Sequence, residues 1–265
     1  MERPAFAWLG LDVDDHGVAT IELRRTAAKN AMDMALKTEL AAAVRLVAED
    51  PAVRAVVVTG SGDAFCAGGD IVEMALNDRP TSSRSRLATL LESIYMPLAE
   101  MEKPTLAAVN GHAHGSGLSL ALACDVVIAS DAAVLSCAFA KVGLVPDCGS
   151  LYFLPRRVSL GRAKELVFSA RRVGAAEALE LGLVERVVPA ATFREEVAAT
   201  ARSFAAGPTV VLGLAKKLLD VATSSTLREV SELEGFAQAV AYSTSDHAAA
   251  RQSFSTRTPP LFSGR

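Results

Sequence analysis

The chain has 265 residues, 51% of them hydrophobic, and a formal net charge of −3. That length and apolar fraction suffice for one sizeable hydrophobic core. The acidic balance argues against a nucleic-acid-binding protein, which would carry a basic face.

The first two-thirds of the chain alternates two kinds of pattern. β-Branched or alternating apolar runs indicate strands, and apolar residues at helical spacing indicate helices. In chain order we predict a strand at 18–23, a helix at 32–48, a strand at 55–59, a loop at 60–70, a helix from Ile71, a polar loop at 77–86, a helix at 87–101, and strands at 105–109 and 125–129.

The last third is predicted to be mostly helical and is rich in alanine. Strand–helix alternation before it predicts βαβ units and an α/β fold with a largely parallel sheet. The predicted elements there are helices at 151–158, 161–168, 175–181, 193–206, 209–222, 227–243 and 246–254, and a short strand at 187–189.

The cysteines and the first fifteen residues indicate the cellular location of the protein. Cys66, Cys124, Cys137 and Cys148 have no Cys-x-x-Cys spacing, so we expect free thiols, with Cys124 and Cys137 buried, and no metal site. Residues 1–15 carry charges and no long apolar run, which predicts no signal peptide. Apolar stretches elsewhere are interrupted by polar residues, so we expect a cytoplasmic protein with no membrane partner.

The most informative stretch runs from residue 103 to residue 150. After the strand at 105–109, Gly115-Ser116-Gly117 opens an apolar helix. A glycine turn at a helix start presents free backbone N–H groups, and the helix dipole adds to their attraction for negative charge. A second glycine motif, DAFCAGGDI, lies upstream at residues 63–71.

Together these two motifs resemble those of the crotonase superfamily, the enoyl-CoA hydratases and isomerases. The resemblance covers residues 18–189 and extends more loosely to the C-terminus. It implies a spiral of ββα units with an acyl-CoA site over residues 1–195. It also implies a helical region over 196–265 that builds a homotrimer or homohexamer. The partner would be an acyl-CoA thioester, with coenzyme A as part of the substrate and no further cofactor.

The resemblance assigns the thioester oxygen to two backbone donors, the N–H groups of Gly69 and Ser116. Family enzymes often carry glycine at the second position, but serine still supplies the N–H. Such donors stabilise the oxyanion, and losing one costs about 2.7–4 kcal/mol in a protease. The alternative is that both motifs are ordinary turns.

Hydratases of this superfamily hold a water with two glutamates. The corresponding positions here are Ser119 and Phe139, and neither is a carboxylic acid. Ser119 is expected either to bind substrate or to be a structural hydroxyl. Phe139 is expected to shape an acyl pocket. Ordinary hydration is therefore disfavoured.

The acid of the closing turn is Asp147, in LVPDCGS at residues 144–150. This segment resembles isomerases of phenylacetate catabolism, in which one such aspartate acts on the acyl chain. A carboxylate in an apolar pocket also gains basicity. The alternative is that Asp147 only caps a helix beginning near Gly149.

For the CoA moiety, the resemblance indicates Ala27, Ala31 and Ala67, with Gly115 beside the thioester. The charged side chains of Arg25 and Lys29 are equally consistent with phosphate contacts or with a solvated loop, and Arg257 is a weaker candidate. His112 and His114 are interpreted as structural, and Cys148 as a packing residue. Asp70 is predicted to cap the helix at Ile71.

These observations favour an enoyl-CoA double-bond isomerase that uses Asp147 as acid and base. An enoyl-CoA hydratase, or another CoA-thioester lyase or hydrolase, stays open as an alternative. So does a catalytically silent acyl-CoA-binding protein.

Overall fold

The computed structural model describes residues 4–74 and 80–265. Two parallel-rich sheets form its centre. The strands are β1 (Leu9–Val13), β2 (Val18–Leu23), β3 (Ala55–Gly60), β4 (Ala64–Cys66), β5 (Thr105–Val109), β6 (His112–His114), β7 (Val126–Ser130), β8 (Val134–Ser136), β9 (Val173–Gly174) and β10 (Arg186–Val188).

Helices surround the sheets and make up the C-terminal part. They are α1 (Met34–Glu49), α2 (Ile71–Met74), α3 (Pro80–Leu90), α4 (Met96–Glu100), α5 (Ser116–Leu122), α6 (Ser150–Arg157), α7 (Leu160–Ser169), α8 (Ala175–Leu181), α9 (Phe193–Ala205), α10 (Thr209–Ala222), α11 (Leu227–Tyr242) and α12 (Ser245–Thr256). A π-helical turn, Leu91–Tyr95, joins α3 to α4, and a 3₁₀ helix, Ala138–Val142, follows β8.

Across the described ranges, the first sheet has the order β1-β2-β3-β5-β7-β10 and the second the order β4-β6-β8-β9. The β1–β2 hairpin and the β8–β9 pair are antiparallel, and the other pairs are parallel. Successive pairs, β3–β4, β5–β6 and β7–β8, each give one strand to each sheet. The chain therefore advances as a spiral of ββα units, as the resemblance implied.

Burial on both faces explains the continuous apolar runs of the first sheet. Val56 and Val58 of β3 point into the main core with α1, whereas Ala55 and Val57 point into a second cluster. A strand that is covered on both faces is expected to be a continuous run of apolar residues, many of them β-branched. The strand predictions for residues 55–59 and 105–109 are confirmed for this reason.

Helix α9 covers the outer face of the first sheet. Phe193, Val197 and Ala201 pack against residues of β2 and β3, such as Val18 and Val57. The boundary predicted between residues 195 and 196 falls within this helix, and α10, α11 and α12 form a helical extension after it. Its apolar side chains, including those of α11, are partly exposed in the single chain.

No single helix in residues 4–74 and 80–265 is both long and apolar enough to cross a membrane. Helices α9 and α10 pass that test only as a pair, bent by 98° at the break between them.

Two expectations about loops were wrong. Strand β4 lies in the segment predicted as a loop at 60–70, and no strand was predicted where β6 and β8 lie. Each of the three has three residues and pairs only with distant segments. Of the polar loop predicted at 77–86, residues 77–79 lie outside the described residues, and the rest belongs to α3. Most residues of α3 (PTSSRSRLATL) are polar, so it lacks the apolar residues at helical spacing that would have predicted a helix.

Candidate active site

The turn after β4 places Gly69 beside a cavity. The Met32 N–H donates to the Gly68 carbonyl at 2.7 Å, and the Asp70 N–H donates to the Met32 carbonyl at 3.2 Å. Met32 and Gly69 form an isolated parallel β-bridge. Its two hydrogen bonds join Met32 to Gly68 and Asp70, the neighbours of Gly69, so the Gly69 N–H points away from Met32. Gly68 has φ +102, and a Cβ there would lie 2.7 Å from the His114 carbonyl oxygen. The backbone therefore needs glycine at this position.

The second donor stands at the start of α5. Gly115 is the N-cap with φ 53, and Ser116 is the first helical residue, whose N–H has no partner within its own helix. A Cβ on Gly68 would lie 3.7 Å from the Ser116 nitrogen, so the two glycine motifs are in contact. Gly117 packs directly on β4, because a Cβ there would lie 2.2 Å from the Cys66 carbonyl oxygen.

Gly69 and Ser116 both line a cavity of about 680 Å³ with a mostly apolar wall. Its wall includes hydrophobic side chains from several elements, namely Met32, Met74, Leu87, Leu90, Val142 and Leu144. Of the residues predicted from sequence, the structure brings together there Ala67, Gly69, Gly115, Ser116, Phe139 and Asp147.

Asp147 is the carboxylic acid among the described residues that line this cavity. Burial raises the pKa of its carboxyl group, and the hydrogen bond from the Cys148 thiol and the charge of Lys37 partly oppose that rise. Helix α6 begins after Gly149 without a side-chain cap, so the alternative of Asp147 as its N-cap does not hold. Asp147 therefore lines the cavity without serving as a helix cap.

Ser119 lies outside the cavity wall. Its hydroxyl is fully buried, 2.5 Å from the Ser150 hydroxyl and 3.3 Å from the Asp147 carbonyl oxygen. These contacts tie α5 to the start of α6. The geometry agrees with the interpretation of Ser119 as a structural hydroxyl, because it is buried and does not line the cavity.

The predicted CoA residues Ala27 and Ala31 also lie away from this wall, in and after the 3₁₀ helix Thr26–Ala28. Ala31 is nevertheless close to the cavity, because the next residue, Met32, bridges to Gly69. Arg257 lies at the end of α12 and does not line the cavity either.

Two of the candidate cations have partners within the chain. Arg25 contacts Asp70 at 2.6 Å and Asp33 at 3.2 Å, and the Arg25 hydrogen bond holds the pKa of Asp70 below its ordinary value. Asp70 also accepts from the Val72 N–H at 2.9 Å, which confirms it as the cap of α2. Lys29 is half-exposed and contacts Asp63 at 3.3 Å.

His114 and the cysteines near the site are held within the fold. The His114 Nδ1 lies 2.8 Å from the Ser136 hydroxyl, and burial lowers the pKa of His114 to about 4, so it is neutral at physiological pH. All four cysteines are free thiols, as predicted. Cys124 and Cys137 are buried, as expected, Cys66 is buried too, and Cys148 is half-buried.

Sequence reasoning missed three polar residues of the cavity wall, Lys37, Tyr95 and Arg86 of α3, of which the first two have defined partners. Lys37 projects from α1 and contacts Glu73 at 3.3 Å, with only 12% of its side chain exposed. Tyr95 ends the π-helical turn, is 1% exposed, and donates its hydroxyl to the Ser116 carbonyl at 3.3 Å. Both lie in helices whose apolar spacing gave no sign that a polar group faces a cavity.

Comparisons with known proteins agree with this geometry. The family model for enoyl-CoA hydratase/isomerase matches residues 14–265. The chain is 35% identical over 258 residues to 1,2-epoxyphenylacetyl-CoA isomerase of Escherichia coli, covering 95% of this chain and 97% of that one. It is 40% identical over 222 residues to 4-chlorobenzoyl coenzyme A dehalogenase-2 of an Arthrobacter species, covering 82% and 80%.

Among solved structures, enoyl-CoA hydratase from Bacillus anthracis superposes with a TM-score of 0.92 at 31% identity, covering 98% of this chain and 100% of that one. The chain belongs to the enoyl-CoA hydratase/isomerase family and has the crotonase fold.

Proposed function

We propose that this member of the enoyl-CoA hydratase/isomerase family moves a double bond within an acyl-CoA thioester. The observation that carries the proposal is the placement of Asp147 on an apolar cavity wall shared with Gly69 and Ser116. One carboxylate and two backbone donors are the groups that an allylic proton shift needs. Coenzyme A enters as part of the substrate, and the reaction as written uses no other cofactor.

The proposed reaction begins with a 3-enoyl thioester whose carbonyl oxygen accepts from the Gly69 and Ser116 N–H groups. The Asp147 carboxylate takes a proton from carbon 2, and the electron pair moves into a dienolate whose charge rests on the thioester oxygen. Asp147 then returns the proton to carbon 4, which leaves the 2-enoyl thioester. Atoms and charge balance, and the product has the mass of the substrate.

The raised pKa of Asp147 suits this role. A general base is most effective when its pKa approaches the operating pH, and burial moves this carboxyl group in that direction. Hydration would need a second group to hold water. The two positions where hydratases carry glutamate are Ser119 and Phe139 here. The Ser119 hydroxyl is hydrogen-bonded to the Ser150 hydroxyl, and Phe139 has no polar group to hold water.

The test follows purified protein with 3-enoyl-CoA and 2-enoyl-CoA by chromatography and mass spectrometry. A product of unchanged mass is expected, and Asp147→Asn should lower its rate by about 10²- to 10⁴-fold, the usual contribution of a general acid–base group. Acyl-CoA binding, measured by calorimetry, should persist in that variant. Asp15→Asn is the matched control, because Asp15 is exposed in the turn between β1 and β2.

Other outcomes identify the alternatives. A gain of one water would make the protein a hydratase, and binding without conversion would make it a silent acyl-CoA-binding protein. Since one relative is named for 4-chlorobenzoyl coenzyme A, that thioester belongs in the substrate panel, with chloride release as its readout. Full activity of Asp147→Asn would refute the mechanism.

We further propose that the protein assembles as a homotrimer or homohexamer through its C-terminal helices. In the single chain, Leu219 of α10 and Phe236, Val240 and Tyr242 of α11 are exposed. Large apolar side chains grouped on one region are typical of an interface. Light scattering after gel filtration would give the mass, and a monomer at micromolar concentration would contradict this assembly.

A further inference from the structure

Arg25 contacts both segments of the β-bridge that holds Gly69. Its Nη1 donates to the Asp70 carboxylate at 2.6 Å and to the Ala31 carbonyl at 3.0 Å, and its Nε lies 3.2 Å from the Asp33 carboxylate. Ala31 and Asp33 flank the residue that bridges to Gly69. Asp70 directly follows Gly69 in the chain. The guanidinium therefore joins the neighbours of the two bridged residues.

The backbone joins these two segments by one short and one longer hydrogen bond. The Met32 N–H donates to the Gly68 carbonyl at 2.7 Å, whereas the Asp70 N–H donates to the Met32 carbonyl at 3.2 Å. Glycine restricts its own backbone dihedrals least, so the direction of the Gly69 N–H depends on how its neighbours are held. The longer bond lies on the Asp70 side of the bridge, and this is the side on which Arg25 makes its 2.6 Å contact.

The two carboxylates that Arg25 contacts are also the N-caps of two helices. Asp33 caps α1 and Asp70 caps α2, and each accepts a backbone N–H of its own helix at 2.9 Å through Oδ1. Each turns its Oδ2 to Arg25. The Arg25, Asp33 and Asp70 side chains are 21%, 25% and 12% exposed, so water and salt screen these contacts less than those of a surface pair. Arg25 therefore fixes the start of α2, where Gly69 lies, relative to the start of α1.

The loop from Arg25 to Ala31 holds the guanidinium in this place. Lys29 and Asn30 have φ 50 and 56, in the left-handed region, which residues other than glycine keep where their surroundings fix them. The Asn30 N–H donates to the Arg25 carbonyl at 2.9 Å, and the fully buried Asn30 amide donates to the Ala64 carbonyl at 2.8 Å. The loop is thus closed on itself and tied to β4, the strand that leads to Gly69.

We propose that Arg25 is a positioning residue that holds the Gly69 N–H where the thioester oxygen binds. Arg25 does not line the cavity, so it acts through Asp70 and not on the substrate. Backbone donors stabilise an oxyanion only when they are held in place before the charge develops. This inference rests on the proposed function, because it assumes that the Gly69 N–H polarises the thioester carbonyl.

The first test compares Arg25→Gln with Arg24→Gln, using kcat and KM for 3-enoyl-CoA. Arg24 is the matched control, because this neighbouring arginine is 57% exposed and pairs with Glu22 at 2.8 Å. We expect Arg25→Gln to lose roughly 10- to 100-fold in kcat, less than the 10²- to 10³-fold that removal of a whole donor costs. KM should change little, and Arg24→Gln should match the wild type. An unchanged kcat in folded Arg25→Gln would overturn the proposal, and a raised KM beside it would make Arg25 a CoA-phosphate ligand.

The second test approaches the same contact from Asp70 and keeps the proposal testable if Arg25→Gln does not fold. Asparagine caps helices about as well as aspartate, so Asp70→Asn keeps the cap of α2 but removes the charge that pairs with Arg25. We expect a similar fall in kcat. The double variant should lose little more than either single variant, because both substitutions break one contact. Fully additive losses would overturn the proposal.

The thioester carbonyl of a bound, saturated acyl-CoA reports on the donors without turnover. Butyryl-CoA with an isotope label at this carbonyl has no double bond to move, and hydrogen bonds from Gly69 and Ser116 lower its stretching frequency in infrared difference spectra. We expect the wild type and Arg24→Gln to lower the frequency equally. Arg25→Gln and Asp70→Asn should lower it less, which a role in stability alone would not cause.

This spectrum also distinguishes failure of the positioning role from failure of the proposed reaction. If the wild type moves no double bond but the carbonyl frequency still depends on Arg25, the reaction is wrong and the positioning role stands. If the wild type isomerises its substrate and the frequency is the same in Arg25→Gln as in Arg24→Gln, the positioning role is wrong and the reaction stands.

Discussion

Replacing Gly117 by alanine should damage the site through the backbone alone. Gly117 lies in the first turn of α5 and faces β4, where a new Cβ would lie 2.2 Å from the Cys66 carbonyl oxygen and 2.8 Å from its carbon. The closest favourable C–H···O contacts have C···O distances of about 3.3 Å. Helix α5 would therefore have to move by roughly 1 Å, and it would carry the Ser116 N–H with it.

That displacement has two measurable costs. Overpacking a tight contact typically lowers the free energy of unfolding by about 1–3 kcal/mol. A misplacement of 1 Å costs about 100-fold in rate, and the loss of one oxyanion donor costs a similar factor. We therefore expect Gly117→Ala to be moderately destabilised and to lose about 100-fold in kcat for the double-bond shift.

The assay combines urea denaturation with kcat on 3-enoyl-CoA. Gly161→Ala is the matched control, because Gly161 lies within α7 with no atom near the position of a new Cβ. Alanine is a better helix former there by about 1 kcal/mol, so this variant should be slightly more stable and fully active. If Gly117→Ala kept both its stability and its kcat, the contact between α5 and β4 would not determine the position of the Ser116 donor.

Two further predictions concern side chains at the site. Burial raises the pKa of Asp147, so the charged carboxylate opposes folding at neutral pH, and this penalty disappears as the pH falls below the ordinary carboxyl range. Asp147→Asn should therefore be more stable than the wild type at neutral pH, with the difference shrinking on acidification, as urea denaturation across pH would show. Ser119→Ala should lower the free energy of unfolding by about 1–3 kcal/mol, because the buried Ser150 hydroxyl loses its partner at 2.5 Å. Its kcat should change less than 10-fold, and a large loss of kcat at unchanged stability would instead place Ser119 against the substrate.

Elements were predicted correctly from the sequence where a short segment contained the whole pattern that determines its structure. The run AVVVT at residues 55–59 is buried on both faces, and burial on both faces makes such a strand continuous in sequence. Glycine is needed where two backbone segments approach each other closely, as at Gly68 and Gly117. The glycine motifs that contain these residues were recognisable in the sequence. The closing turn around Asp147 was found because a resemblance pointed to it.

The remaining features depend on long-range contacts. Each of the strands β4, β6 and β8 has three residues, too few for a period-2 pattern, and their partners lie far away in the chain. The π-helical turn adds a residue to the helical repeat and so shifts the face of Tyr95 relative to the apolar positions before it. Lys37 follows the buried Leu36 in α1, and only the fold shows that a cavity lies beside it.

The spiral distributes the groups of the site over its successive units. Gly69 follows β4 of the first unit, Ser116 follows β6 of the second, and Asp147 follows β8 of the third. In the proposed reaction, carbonyl polarisation and proton transfer are thus encoded in separate segments that meet only in the folded chain. An exchange of the third segment could change which bond reacts without disturbing how the thioester is polarised, so this architecture lets reaction type diverge while thioester activation is inherited intact.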